Sequence, residues 1–146
     1  MNWLNLVVME DRNTSASGSS EPAEAENHTI LVVDDDVAIV EFIELALASA
    51  GYTVYTGLGH EALRIAHDMH PHLILLDIMM PEMDGAELSM RLRADPGTAN
   101  IPIIAMSAQD CQEFAGRKLL VNARLPKPFR LRELYGAVAH WCEGIS

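Results

Sequence analysis

The chain has 146 residues, of which 49% are apolar and 21% charged. This is enough for one globular domain with an ordinary core but not for two full-sized domains. Its 10 basic and 21 acidic side chains give a net charge of −11, which argues against general binding of nucleic acid or anionic lipid, because both need clustered Lys and Arg.

Two further features of the composition bear on where the chain works. Cys111 and Cys142 are its only cysteines, too few for a disulfide framework, and they favour a reducing, cytoplasmic compartment. No apolar run approaches the roughly 20 residues of a membrane span. We therefore expect a cytoplasmic protein that does not insert into a membrane.

Residues 1–27 are predicted to be a flexible N-terminal tail. Segment 11–27 is rich in Ser, Glu and Ala and contains no large apolar residue. Such a segment cannot bury enough surface to offset its loss of conformational entropy on ordering. Residues 1–9 are more apolar but lack the basic flank and cleavage site of a secretory signal peptide. The folded domain is therefore expected to cover residues 28–146.

Short apolar segments recur along the rest of the chain and predict five strands. They lie at residues 30–33, 52–55, 73–76, 101–106 and 123–125. Continuous apolar runs of this length are typical of strands that are buried on both faces of a parallel sheet.

Helices are predicted after these strands, where apolar residues recur every three or four positions. They run from Val37 towards Gly51, from Ala62 to Met69, from Ala86 to Leu92 and from Leu131 to Val138, whereas segment 110–122 has only a weak helical pattern. Strand and helix thus alternate five times. The pattern predicts a doubly wound α/β domain: a five-stranded parallel sheet with helices on both faces.

Polar side chains come just after four of the predicted strands: Asp34 and Asp35 after the first, Asp77 after the third, Ser107 after the fourth and Lys127 after the fifth. In such folds, ligands bind at the carboxyl ends of the strands, so these side chains are expected to share one crevice. Carboxylates held close together repel one another, and a hard divalent cation such as Mg²⁺ relieves that repulsion. The set suits phosphoryl transfer, with Asp77 as nucleophile and with Lys127 and Ser107 contacting the phosphoryl oxygens.

Four motifs occur in order along the chain. They are ILVVDD at 30–35, LLDIMMPEMDG at 75–85, IIAMSA at 103–108 and KPF at 127–129. Together they resemble the receiver domain of bacterial two-component response regulators, and the resemblance extends over residues 28–143. It implies a flavodoxin-like (βα)5 fold.

The resemblance also implies a function. Asp77 would accept a phosphoryl group from a phosphohistidine on a sensor histidine kinase or histidine phosphotransfer protein, and this would switch the binding of a downstream protein. Ser107 and Lys127 would contact the phosphoryl group, with a cis peptide bond between Lys127 and Pro128. The chain would catalyse its own phosphorylation and dephosphorylation without being a classical enzyme.

A set of Mg²⁺ ligands follows from the same resemblance. Asp35, Asp77 and the backbone carbonyl of Met79 would ligate the ion directly, and Asp34 would act partly through water. Asp36 lies one position beyond the matching pair of acids, and we interpret it as a helix N-cap.

The chain departs from the family pattern at three places. Many receivers carry an aromatic residue three positions before the lysine, whereas this chain has Arg124, so the usual aromatic switch is absent. Met79 has no polar group that could orient a hydrolytic water, which predicts a long-lived phosphoryl group. Segment 107–127 lacks the Gly-Ala-Asp of many members, so its helix is expected to be short or shifted.

Basic residues are concentrated towards the C-terminal end of this acidic chain. Five lie between Phe114 and Leu131 with no acid among them, and Arg132 follows. Two interpretations are open: a solvated surface that balances the acidic pocket, or a docking surface for an acidic partner. Binding of nucleic acid is not expected.

The leading interpretation is a stand-alone receiver, monomeric or weakly dimeric, because no second domain is predicted after the last helix. The alternatives are a receiver fragment of a larger regulator or hybrid kinase, and a protein-interaction module that uses the same scaffold without phosphorylation. An aspartyl-nucleophile phosphatase is disfavoured, since such enzymes use a second Asp two positions after the nucleophile, where this chain has Met79.

Overall fold

The computed structural model describes residues 28–79, 85–107 and 120–143, together with the backbone of residues 113–114 and 117–118. The predicted tail, residues 1–27, lies outside the described residues and stays a prediction. None of the helices in the described ranges combines the length and the apolar character needed to cross a bilayer.

Strands and helices alternate along most of the chain. In order they are β1 Thr29–Val33, α1 Val37–Ser49, β2 Thr53–Thr56, α2 Gly59–Met69, β3 Leu73–Asp77, α3 Gly85–Ala94, β4 Ile103–Ser107, β5 Glu113–Phe114, β6 Arg117–Lys118, β7 Ala123–Pro126 and α4 Leu131–Glu143.

Five of the strands form one parallel sheet in the order β2-β1-β3-β4-β7. The order reverses at β1, so β1 and β3 lie side by side in the middle of the sheet although a crossover separates them in the chain. This is the arrangement of a flavodoxin-like fold, whose ligand crevice lies at the carboxyl ends of those two strands. The predicted fold class is confirmed.

Each face of the sheet has its own apolar core. On one face, Val32 and Leu75 pack with α1 and with Leu134 of α4. On the other, Leu31 and Leu76 pack with α2 and α3. Alternate side chains of a strand point to opposite faces, so continuous runs such as Leu73–Asp77, all buried, are what a sheet covered on both sides requires.

The segment between β4 and β7 differs from the other crossovers. Its described residues form no helix but a short antiparallel pair in which Glu113 lies opposite Lys118 and Phe114 opposite Arg117. The rest of this segment, where a short or shifted helix was expected, lies outside the described residues.

Candidate functional site

Four polar side chains come from the carboxyl ends of four neighbouring strands. Asp34 directly follows β1, Asp77 ends β3, Ser107 ends β4 and Lys127 directly follows β7. The strand register places Asp77 beside Met106, and Ser107 beside Pro126. Asp34, Asp77 and Ser107 are all buried. The parallel sheet thus brings together residues that are up to 93 positions apart in the chain.

Lys127 forms ion pairs with both buried acids. Its Nζ lies 2.8 Å from Oδ2 of Asp34 and 3.6 Å from Oδ1 of Asp77. Burial lowers the pKa of Lys127, but the hydrogen bond to Asp34 and the charges of both acids outweigh this, so the pKa lies above its ordinary value. The ammonium group is therefore charged at neutral pH.

The backbone aims this lysine at the crevice. The N–H of Lys127 donates to the carbonyl of Ser107 at 2.6 Å, which ties the loop after β7 to the end of β4. The peptide bond between Lys127 and Pro128 is cis, as the resemblance implies.

Asp34 is fixed by a second contact on its other oxygen. Its Oδ1 accepts from the N–H of Asp36 at 2.9 Å. Asp36 itself caps α1, since its Oδ1 accepts from the N–H groups of Ala38 and Ile39. The predicted N-cap role of Asp36 is confirmed, and its carboxylate is engaged away from the crevice.

Asp77 lies in the least favourable electrostatic position of the site. Burial and the negative charge of Asp34 raise its pKa to about 6, against the opposing effects of Lys127 and of the Met79 N–H, which donates to Oδ1 at 3.3 Å. A carboxylate whose charge is disfavoured by its surroundings gains most from an arriving cation. The site therefore favours the binding of positive charge at Asp77.

Three carboxylates are close enough to share one ion. Asp34, Asp35 and Asp77 each offer an oxygen, and these oxygens lie within 4.8 Å of one another. Asp35 is exposed, so the group is open to solvent on one side. An all-oxygen set that leaves positions for water is the kind that Mg²⁺ prefers, and these residues fit that ion.

Gly85 is a positioning residue that sequence reasoning missed. Its N–H donates to the carbonyl of Ile78 at 2.8 Å. A Cβ atom on Gly85 would lie 2.6 Å from the Cα of Ile78 and 3.0 Å from the carbonyl oxygen of Asp77. Only glycine lets α3 begin this close to the residues that follow β3. The only signal in the sequence was the glycine that closes the second motif.

The remaining predicted residues lie outside the buried cluster. Met79 follows the site directly and is 54% exposed. Arg124 is the second residue of β7, in register with Ala105, and so lies further down the strand than Lys127. The structure thus groups Asp34, Asp35, Asp77, Ser107 and Lys127 and leaves Arg124 apart from them.

Comparison with known proteins decides the family. Residues 30–139 match the model of the response regulator receiver domain. The chain belongs to this family. It is therefore a receiver domain of two-component signal transduction, as the four motifs predicted.

Two curated relatives are named as transcriptional regulators. The DNA-binding dual master transcriptional regulator RpaA of Synechocystis is 36% identical over 112 residues, which cover 75% of this chain and 46% of RpaA. The alkaline phosphatase synthesis transcriptional regulatory protein PhoP of Bacillus subtilis is 39% identical over 116 residues, or 77% of this chain and 47% of PhoP. The chain thus spans about half the length of the curated relatives it matches.

Two solved structures share the fold over nearly their whole length. A putative response regulator from Chloroflexus aurantiacus has a TM-score of 0.72 at 36% identity, covering 79% of this chain and 97% of its own. The receiver domain of the sensor histidine kinase PA1611 from Pseudomonas aeruginosa has a TM-score of 0.73 at 31% identity with the same two coverages. The latter structure has a magnesium ion coordinated in its active site cleft.

Proposed function

We propose that this receiver is a phospho-acceptor and that Asp77 takes a phosphoryl group from a phosphohistidine on a sensor histidine kinase or histidine phosphotransfer protein. The observation that carries the proposal is the position of Asp77. It is a buried carboxylate at the end of β3, with the Lys127 ammonium 3.6 Å from its Oδ1. Phosphoryl transfer is catalysed mainly by positioning and by neutralisation of charge, and both are built into this arrangement.

The transfer is a simple displacement. An oxygen of the Asp77 carboxylate attacks the phosphorus, the phosphorus–nitrogen bond of the donor breaks, and its electron pair returns to the imidazole. The product on this chain is an acyl phosphate. The ammonium group of Lys127 contacts both acids and would pair with the phosphoryl oxygens. The hydroxyl of Ser107, at the end of the neighbouring strand, is suited to donate a hydrogen bond to one of them.

Asp34, Asp35 and Asp77 would hold Mg²⁺ together with the backbone carbonyl of Met79. When bound, the ion would supply positive charge against the phosphoryl oxygens. The three clustered carboxylates support this assignment, as does the magnesium ion in the cleft of the PA1611 receiver.

Phosphorylation would act as a switch. It places a doubly charged group beside the Lys127–Asp34 ion pair, and Lys127 then has a stronger partner than Asp34. Such a local change of charge biases a two-state equilibrium and alters affinity for a downstream protein. The chain modifies itself and turns over no separate substrate, so we do not class it as a conventional enzyme.

The proposal concerns the receiver alone. DNA binding is named for the longer relative RpaA and is not assigned to this chain. That the receiver acts without an output domain remains our prediction. Measurement of the polypeptide's intact mass from its native cells checks this, and finding the sequence within a longer polypeptide would contradict it.

Intact-mass spectrometry tests the phospho-acceptor role. The full chain is incubated with Mg²⁺ and acetyl phosphate, and a single acid-stable, base-labile phosphoryl adduct is expected. Asp77→Asn should abolish it. Asp36→Asn is the matched control, because it neutralises a neighbouring acid that caps α1 and lies outside the cluster, and Asn caps helices equally well. It should leave the adduct unchanged. Chelation of Mg²⁺ by EDTA should prevent its formation.

Two outcomes would contradict the proposal. An adduct that persists in Asp77→Asn would assign phosphorylation to another residue. The absence of any adduct in folded wild-type protein that binds Mg²⁺ would favour the alternative, a protein-interaction module that uses the receiver scaffold without phosphorylation.

A further inference from the structure

Two histidines and a tyrosine lie together at the amino end of the sheet, opposite the phospho-acceptor site. His28 precedes β1, Tyr52 precedes β2 and His72 precedes β3. The rings of His28 and His72 meet edge to face with their centroids 4.9 Å apart, and the Tyr52 ring lies 6.4 Å from that of His28. Three titratable side chains are therefore grouped where the chain enters neighbouring strands.

His72 holds the first residue of β1 through both its backbone and its ring. Its N–H donates to the Thr29 carbonyl at 2.8 Å. Its Nδ1 accepts from the Thr29 N–H at 3.0 Å and lies 3.3 Å from the Thr29 hydroxyl oxygen. Because β3 begins only at Leu73, the ring supplies an acceptor at a level of the sheet where β3 has not yet started. The entry of the chain into β1 therefore depends on one imidazole nitrogen.

The contact between Thr29 and His72 requires a neutral ring. A backbone N–H can only donate, so Nδ1 must present its lone pair, and the single ring proton is on Nε2. A second proton would bind to Nδ1 and would place two N–H groups against each other. The hydrogen bond from the Thr29 N–H is therefore incompatible with an imidazolium ion.

The surroundings of His72 also oppose its protonation. The residue is exposed overall, but contact with its neighbours partly desolvates the ring. This desolvation and the charge of His28 lower the pKa of His72 below its ordinary value of 6.5. Well above pH 6.5 the ring is neutral whether the contact is closed or open. Below that value the open form binds a proton more readily, so the contact weakens as the pH falls.

Among the described residues, His28 is the charged neighbour that acts on the His72 ring. The other titratable groups on the elements around it are Tyr52, Asp68, His70 and Glu143. The hydroxyl of Tyr52 donates to Glu143 at the end of α4, and residues 100–102 at the entry to β4 are uncharged. Protonation of His72 therefore gains no acidic partner from these elements.

We propose that the Thr29–His72 contact is a pH-sensitive switch that holds the start of β1 when His72 is neutral and releases it when His72 is protonated. The switch controls the position of the chain that enters β1 at His28. It goes beyond the phospho-acceptor role and is separate from it in space, because Asp34 follows the opposite end of the same strand. It does not require phosphorylation of Asp77.

Amide hydrogen exchange of the full chain, followed by NMR between pH 7.5 and about pH 5.5, tests the proposal. The measured quantity is the protection factor of the Thr29 amide, which is corrected for the intrinsic pH dependence of exchange. It should fall several-fold in wild type as the pH is lowered. The limit is about tenfold, which corresponds to an open form with an ordinary histidine pKa and a closed form that stays neutral.

Two substitutions separate the acceptor of His72 from its proton. His72→Asn places Oδ1 where the imidazole has Nδ1, so it keeps an acceptor that does not titrate, and Thr29 protection should be equal at both pH values. His72→Ala removes the acceptor and should lower protection at pH 7.5 about fivefold, as expected for the loss of one hydrogen bond. His60→Asn is the matched control, an exposed histidine on α2, and should behave as wild type.

Two further variants isolate the His72 titration. The pKa of Asp77 is raised to about 6, within the same pH range, so the series is repeated with Asp77→Asn. The difference between His and Asn at position 72 should persist there. His28→Phe keeps an aromatic ring beside His72 without its charge. It should move the NMR titration midpoint of His72 upwards, towards pH 6.5.

Three results would overturn the proposal. The first is a Thr29 protection factor in wild type that is the same at both pH values. The second is an equal fall in wild type and His72→Asn, which would assign the response to another group. The third is full protection of the Thr29 amide in His72→Ala at pH 7.5, which would show that the ring does not hold this amide.

Discussion

Lys127 and Arg124 lie three residues apart, one just after the edge strand β7 and the other within it, and their environments are opposite. The ammonium group of Lys127 is 2.8 Å from Asp34 and 3.6 Å from Asp77. The guanidinium group of Arg124 has a buried Nε with no hydrogen-bond partner among the described residues. The first cation is therefore paired inside the molecule, whereas the second keeps one donor that these residues leave unpaired.

The two residues illustrate two cases, a buried charge that has a partner and a buried donor that has none. A buried ion pair loses much stability when one partner is removed, since the other is left uncompensated. An unpaired buried donor costs roughly 1–3 kcal/mol as long as it stays unpaired, so its removal stabilises the fold. Substitution of the two cations should therefore have opposite consequences.

The largest expected effect is on phosphorylation. Lys127→Met removes the positive charge from the site and should slow formation of the acetyl phosphate adduct by about 100-fold or more, the size seen when one charge-stabilising donor is lost from an active site. Arg124→Met should leave this rate within about twofold. Intact-mass time courses measure both. A loss of similar size in Arg124→Met would show that the two cations do not act independently in adduct formation.

Stability should show the opposite signs directly. In the absence of Mg²⁺, Lys127→Met should lower the free energy of unfolding by roughly 1–3 kcal/mol, because the Asp34 carboxylate loses its partner. Arg124→Met should leave it unchanged or raise it by about 1 kcal/mol. Urea denaturation at pH 7 measures both values. A decrease in both variants would mean that Arg124 has a stabilising contact.

The sequence is informative about one of these cations and not about the other. Lys127 could be assigned because it follows a predicted strand, and parallel strands bring their carboxyl ends together whatever the distance along the chain. The position of Asp77 followed from the same rule. The local pattern of residues determines which edge of the sheet a side chain reaches, so the main components of the site were predictable.

The unpaired state of Arg124 was not predictable in this way. It depends on which residues of α3 and β4 come near, and these are set by packing rather than by local pattern. The close approach of Gly85 to Ile78 and the short antiparallel pair of β5 and β6 have the same origin. The sequence identified Arg124 as a departure from the family pattern. The structure added that its Nε is buried without a partner among the described residues.

A buried polar group far from both cations provides a further test, through the dependence of folding stability on pH. The hydroxyl of Tyr52 donates to Glu143 at the end of α4. Burial and this hydrogen bond raise the pKa of Tyr52 well above its ordinary value near 10. Below pH 10 the phenol is protonated in both states. Above it, the unfolded chain loses the proton and the folded chain keeps it, so stability falls as pH rises.

Unfolding measured between pH 8 and about 11.5 tests this contribution. The wild type should lose up to about 1.4 kcal/mol per pH unit above pH 10 through this group. Tyr52→Phe should lack that part of the slope, and Tyr55→Phe is the matched control, because Tyr55 is a partly exposed tyrosine on the neighbouring strand β2. Identical slopes in wild type and Tyr52→Phe would show that the phenol ionises as freely in the folded state as in the unfolded one.

The smallest expected effect concerns the solvent-exposed side of the carboxylate cluster formed by Asp34, Asp35 and Asp77. Met79 is 54% exposed beside Asp77, and its thioether cannot orient a water for attack on the acyl phosphate. Met79→Asn adds an amide at this position and should shorten the lifetime of the adduct about fivefold, equivalent to one hydrogen bond of roughly 1 kcal/mol. Met79→Leu should leave the lifetime unchanged, since it adds no polar group. Decay of the adduct after removal of acetyl phosphate gives both rates. Equal decay in the two variants would indicate that access of water, and not its orientation, limits hydrolysis.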